Sequence, residues 1–265
     1  MRIRISPYAR LGDAGAMPIN YLRGFTQPAR TDAANRRLGC SLAFVAGAAN
    51  AGGFLAVGQY TSHMSGIVAS LSDNLALGQL VLVLAGVSAL LAFLLGAATS
   101  SVLIHWGRRH HTHSEYAVPL MLEALLLLMF GVIGANLEVH RWLYVPATVA
   151  LLCYVMGLQN AIITKISRAE IRTTHVTGLV TDIGIELGKL GYWNRSGLAH
   201  PVPPVMGDRQ KLRLLCALLG MFFLGGLAGA LGFKHVGFVV TIPLAIMLIT
   251  LAIVPLLDDF ARHRH

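Results

Sequence analysis

Six apolar stretches of roughly 20 residues most constrain what this chain can fold into. They fall at about 39–58, 80–104, 116–135, 143–163, 212–233 and 236–257. A helix needs about 20 apolar residues to cross a bilayer's hydrocarbon core of about 30 Å. A helix also satisfies its own backbone where no water can. The stretches therefore predict an all-α integral membrane protein of about six transmembrane helices. Only 12% of the 265 residues are charged, about half of what a soluble domain carries. The first apolar stretch follows a polar segment holding Arg2, Arg4, Arg10, Arg23, Arg30, Arg36 and Arg37. A cleaved signal peptide, with its early apolar region, is therefore not expected. That segment, 1–38, reads as an N-terminal tail that includes a short interfacial helix near 32–38, and 258–265 reads as a C-terminal tail.

The formal charge of +9 suggests nucleic acid only until its distribution is examined. With six spans and a cytoplasmic N-terminus, 19 of the 21 Lys and Arg fall in inner segments, leaving Arg141 and Lys234 outside. That asymmetry is the positive-inside pattern, and it places both termini in the cytoplasm. Membrane lipid is thus an expected partner and nucleic acid is not. Cys40, Cys153 and Cys216 each stand alone at or within an apolar stretch, with neither a disulfide framework nor a zinc spacing.

One polar motif occurs twice. Gly47-x-x-Asn50-Ala51 matches Gly157-x-x-Asn160-Ala161, and Thr61-Ser-His63-Met-Ser65-Gly66 matches Thr173-Thr-His175-Val-Thr177-Gly178. The asparagines are 110 positions apart and the histidines 112, as in an internal repeat. Each motif leads into a short helix, the first ending near Gly78 and the second near Leu190. Three spans separate the motifs, so they enter the membrane from opposite sides. The expected membrane domain, 39–257, is accordingly a three-plus-three inverted repeat with two short motif helices, repeat one covering 39–135 and repeat two 143–257. Were each motif helix a full span, there would be eight spans and a parallel repeat, which the basic-residue count disfavours. Pro243, inside the last span, is expected to kink it unless a neighbour satisfies the freed carbonyl.

The motif residues are the candidate site. Asn50 and Asn160 must find hydrogen-bond partners in the membrane, either by stapling their own helix to the motif segment or by holding a ligand. Ser65 and Thr177 are placed to cap the motif helices, and Gly66 and Gly178 let backbone approach closely. The positive end of such a helix suits an anionic group. His63 and His175 can carry a proton or bridge hydrogen bonds. Glu123 and Asp182 are the candidate proton carriers, because a carboxyl at membrane depth must be paired, protonated or open to water. His105, His110, His111 and His113 lack the fixed geometry of a metal site, and a solvated loop meeting anionic lipid is the better reading. No metal or cofactor is expected. No catalytic motif of a protease, hydrolase or nucleotide-binding enzyme is present, so the chain is not expected to be an enzyme.

The second motif, at Gly157, Gln159, Asn160, Ala161, Arg172, Thr173, Thr174, His175, Thr177, Gly178, Thr181 and Asp182, resembles that of the YoaK family of bacterial membrane proteins, a domain of unknown function numbered 1275. The resemblance covers about 39–257. The first motif departs from the family pattern, with Asn50 in place of Asp, Ser65 in place of Thr and Ile67 in place of Asn. The resemblance implies a multi-pass protein of the bacterial inner (plasma) membrane. The motif pair leads to the expectation of a secondary transporter for a small solute, anionic or zwitterionic, whose site is lined by Asn50, His63, Asn160 and His175. The alternative is a non-transporting membrane scaffold or sensor. Self-association into a homo-oligomer is left open.

Overall fold

The computed structural model describes residues 32–109, 115–138, 141–166, 176–192 and 204–262. Among them are eight α-helices and no strand. The helices are α1 (Asp32–Val57), α2 (Met64–Ala76), α3 (Leu80–Arg109), α4 (Ala117–Ala135), α5 (Arg141–Ile166), α6 (Val176–Gly191), α7 (Arg209–His235) and α8 (Thr241–Arg262), with a 3-10 turn at Gly237–Val240 before α8.

Among the described residues, five helices are long and apolar enough to cross a membrane: α1 from Arg36, α3, α4, α5 over Tyr144–Lys165, and α7. Their outward surfaces are apolar. On α3, Leu84, Leu91, Leu95 and Val102 are all more than half exposed and recur at helical spacing, as a lipid-facing stripe requires. The chain is therefore a multi-pass membrane protein. The sixth expected span corresponds to α8, whose apolar stretch is shorter, Gly237–Ile253 counted with the 3-10 turn.

The helices pair selectively. α1 packs along α7, α3 along α5 and α4 along α8, while α5 also touches α1 and α4. The short helices are peripheral, α2 against α3 and α6 against α7. Gly78, at φ +70°, turns the chain from α2 into α3. The amides of Leu77 and Gly78 close back on the carbonyls of Asp73 and Leu75, so the last turn of α2 is tied off by a glycine in the left-handed region.

Glycine sets the two main seams. A Cβ on Gly47 would collide with the Phe222 carbonyl of α7, and one on Gly225 with the Phe44 carbonyl of α1. Likewise a Cβ on Gly157 would collide with the Phe93 carbonyl of α3, and one on Gly96 with the Tyr154 carbonyl of α5. Each crossing thus sets glycines of both helices against the backbone of the other, α7 adding Gly229 against Ala48, the close approach that drives association between helices in lipid. Around these crossings lies a core that includes Leu42, Leu120, Leu127, Met156, Leu158, Ile162, Leu218 and Leu248. The Gln159 amide donates to the Leu42 carbonyl at 3.1 Å within it, joining α5 to α1.

Several expectations are corrected by the geometry. The segment 32–38 is no separate interfacial helix, because α1 runs unbroken from Asp32 to Val57. Helical hydrogen bonding continues through Gly52 and Gly53, whose bare faces are filled by the Phe233 ring and the Leu152 side chain. Both α1 and α5 run continuously through their asparagines. Pro243 is the third residue of α8, within the first turn, where an amide has no intrahelical partner to lose, so it starts the helix and does not kink it.

Gly157→Val should push α5 off α3 backbone to backbone, costing about 3 kcal/mol or more, and should leave little monodisperse protein in detergent. Gly184→Ala on α6, where the added methyl meets nothing within 4 Å, should hold or slightly raise the melting temperature. Fluorescence-detected size exclusion with thermal ramping checks both.

Candidate functional site

Where the two glycine crossings approach the motif helices, a cavity of about 810 Å³ opens. It is within the range of small-molecule sites. The first half of the chain supplies Asn50, Tyr60, Ser62, His63, Met64, Ser65 and Phe93, and the second half supplies Asn160, Thr164, Val176, Thr177 and Phe222.

Asn50, only 8% exposed, is held by the strand of chain entering α2. Its Oδ1 accepts the Ser62 hydroxyl at 3.0 Å and the Ser62 amide at 3.4 Å. A backbone amide can only donate, so the Asn50 oxygen must face Ser62, and the Nδ2 group must face the other way. That Nδ2 has no protein partner among the described residues. On α5, Asn160 shares the lining with Thr164 one turn on, whose hydroxyl donates to the Asn160 carbonyl at 2.7 Å.

Helix α2 begins at the cavity. Its N-cap residue is His63, which makes no side-chain capping bond. The Met64 amide reaches the Ser62 carbonyl and the Ile67 amide the His63 carbonyl, leaving the Ser65 and Gly66 amides between them without a partner among the described residues. Ser65 is therefore not the cap that the motif suggested. The helix starts two residues earlier than that role requires, and the Ser65 hydroxyl stands 3.5 Å from His63 Nε2, a weak contact. The His63 ring lies across Gly66, where a Cβ would collide with it. Thr177 is the second residue of α6, so it too lies inside the first turn.

Of the residues singled out by the motifs, Asn50, His63, Ser65, Asn160 and Thr177 share this one cavity. Gly66 and Gly178 sit beside it in the first turns of α2 and α6. His175, with Arg172, Thr173 and Thr174 before it, lies outside the described residues. Glu123 and Asp182 do not line the cavity. Glu123 is fully buried on α4, and both its carboxyl oxygens lack a hydrogen-bond partner among the described residues. Asp182 is partly exposed, one turn along α6 from Gly178. Phe93 and Phe222 escaped the sequence reading, although each lies three residues before a seam glycine, Gly96 and Gly225. Thr164 could have been found from its i+4 spacing to Asn160.

A buried carboxylate fixes the second motif helix. Glu186 of α6, 1% exposed, accepts the Asp208 amide at 2.9 Å and the Lys189 ammonium at 3.0 Å, with Lys211 at 3.5 Å. Asp208 in turn caps α7, its Oδ1 accepting the amides of Gln210 and Lys211. The Asp208 amide, then Lys189 and Lys211, hold the Glu186 carboxyl below the usual carboxylate range. A carboxyl lowered on folding contributes its stability above its unfolded value, about 4.3, and loses it as pH falls through the folded value. The melting temperature should therefore be flat with respect to this group from pH 8 to about 5 and fall below about 4. Glu186→Gln should lower the melting temperature at pH 7 and flatten that acid limb, and a wild-type limb left intact in the variant would remove Glu186 from this role.

Comparison with known proteins agrees with the motif reading. No curated protein and no solved structure matches the chain. A family model does match, described as protein of unknown function (DUF1275), over residues 38–254. That range takes in α1 from Leu38, the other four long apolar helices, both motifs and every described residue of the cavity, and the chain belongs to this DUF1275 family.

Proposed function

We propose that this protein is a secondary transporter of a small anionic or zwitterionic solute. The observation that carries the reading is one cavity receiving corresponding residues from both halves: Asn50 and Asn160, Ser65 and Thr177, Phe93 and Phe222. Paired motif-helix N-termini meeting at a shared site between two repeats are what alternating access uses.

The helix partnerships support a three-plus-three inverted repeat. Exchange of α1 with α5, α2 with α6 and α3 with α7 turns the α1–α7 contact into α5–α3, and α2–α3 into α6–α7. The glycine crossings exchange in the same way, Gly47 with Gly157 and Gly96 with Gly225. In this reading α8 completes six spans, α2 and α6 enter from opposite faces, both termini are cytoplasmic, and the protein resides in a bacterial inner membrane. Glu123 and Asp182 remain the proton carriers of the reading, and no catalytic group is assigned. The alternative, a scaffold or sensor that transports nothing, draws on the Asn50–Ser62 bonds, which use the asparagine oxygen within the protein.

Purified protein reconstituted in liposomes should take up one member of a panel of amino acids and small organic acids with saturation. Asn50→Leu and Asn160→Leu, folded by size exclusion, should reduce that uptake to the level of empty liposomes. If uptake is proton-driven, Glu123→Gln should abolish its response to a pH gradient. Uptake unchanged in both asparagine variants, or wild-type protein that moves nothing across the panel, favours the scaffold.

A further inference from the structure

The lining chemistry goes further than a solute of either charge type, and the argument rests on the transport site proposed above. The cavity offers several donors beside hydroxyl and amide groups that can donate or accept. Asn50 is more than nine-tenths buried; with its oxygen turned to Ser62, its Nδ2 group faces the other way and has no partner among the described residues. The Ser65 and Gly66 amides at the start of α2 have no partner among the described residues, and α6 begins at the same cavity with Val176 and Thr177. Among the described lining residues there is no Asp, Glu, Lys or Arg.

Magnitude decides which ligand this suits. Each helix N-terminus is equivalent to about half a positive charge. Two of them, on helices of 13 and 16 residues, offset about one negative charge. A dianion would leave a full charge unmatched, and the described lining holds no Lys or Arg to meet it, only the His63 imidazole. A neutral solute would leave buried donors less well satisfied than an ionised acceptor does. Beside its polar groups, which include Asn160, Thr164 and His63, the lining carries an apolar and aromatic surface of Met64, Phe93, Val176, Phe222 and the Tyr60 ring. Phe93 and Phe222 come from the two equivalent seams, so both halves contribute the same kind of surface.

We propose that the cavity binds a small monovalent carboxylate with an apolar body, its carboxylate on the Asn50 Nδ2 group and the first amides of α2, and its body against Phe93 and Phe222. Charge comes from helix ends in place of a basic side chain.

Four ring compounds of similar size test this: benzoate, benzamide, benzylamine and phthalate, each titrated at pH 7.5 against the whole purified protein in detergent, with thermal shift and calorimetry as readouts. Benzoate should bind, benzamide and phthalate at least tenfold more weakly, and benzylamine not measurably. Asn50→Asp keeps an oxygen for Ser62 and replaces the donor pair with a carboxylate, so it should weaken benzoate at least tenfold. If that variant does not fold, Asn50→Ser, which withdraws the amide donors, should weaken benzoate at least fivefold. Benzamide binding as tightly as benzoate, benzoate binding unchanged in the variant, or no binding of benzoate to folded wild-type protein would each overturn the proposal. The two readings fail separately. Benzoate binding without flux of any carboxylate in liposomes would end the transport reading and keep the site. Flux of a neutral solute that Asn50→Leu abolishes would end the anion class and keep transport.

Discussion

The two main seams depend on backbone meeting backbone at glycines. In water, helices associate because their apolar faces escape solvent. In lipid that drive is absent, and close van der Waals packing takes its place. Gly47 with Gly225, and Gly157 with Gly96, bring α1 onto α7 and α5 onto α3. Both asparagines lie three residues beyond their seam glycine, so the closeness of the crossing sets where Asn50 and Asn160 stand. The cavity is the space left beside two contacts that admit no side chain.

That geometry also explains how the polar groups are tolerated. Asn50 gives its oxygen to Ser62, and the Gln159 amide finds the Leu42 carbonyl across the core. Glu186 collects an amide and two ammonium groups where α6 meets α7. Glu123 is the contrast. It is buried on α4 with neither oxygen bonded among the described residues, an arrangement costly for a charged carboxylate. A well-paired acid anchors a helix, whereas an unpaired one in the core calls for a reason outside packing.

The helices were legible because hydrophobic length is a coarse signal that one strand of sequence carries alone. The same holds for the motif asparagines, which stood out as polar residues repeated within apolar flanks. What was not legible depends on partners distant in sequence. Phe93 and Phe222 look like any other apolar residue on a span until Gly157 and Gly47 are known to lie against their carbonyls. Ser65 reads as a cap from spacing alone, yet the Ile67 amide bonds the His63 carbonyl, so α2 starts two residues earlier and Ser65 lies inside it. The interfacial helix at 32–38 failed for a related reason: charge suggested a boundary, but nothing in Arg36 or Arg37 stops a helix already propagating.

The pairing of α1 with α7 carries a cost during synthesis. About 150 residues separate the end of one from the start of the other. At roughly 5–20 residues per second, α1 leaves the ribosome on the order of ten seconds before its partner exists. Through that interval the bare face at Gly47 has only lipid or a temporary neighbour against it. The wait is shorter for α3, since only about 30 residues separate its end from the start of α5, on the order of a few seconds at the same rate. Neither half can be completed from its own helices, so the newly made chain assembles as one interlocked unit and not as two finished modules joined late.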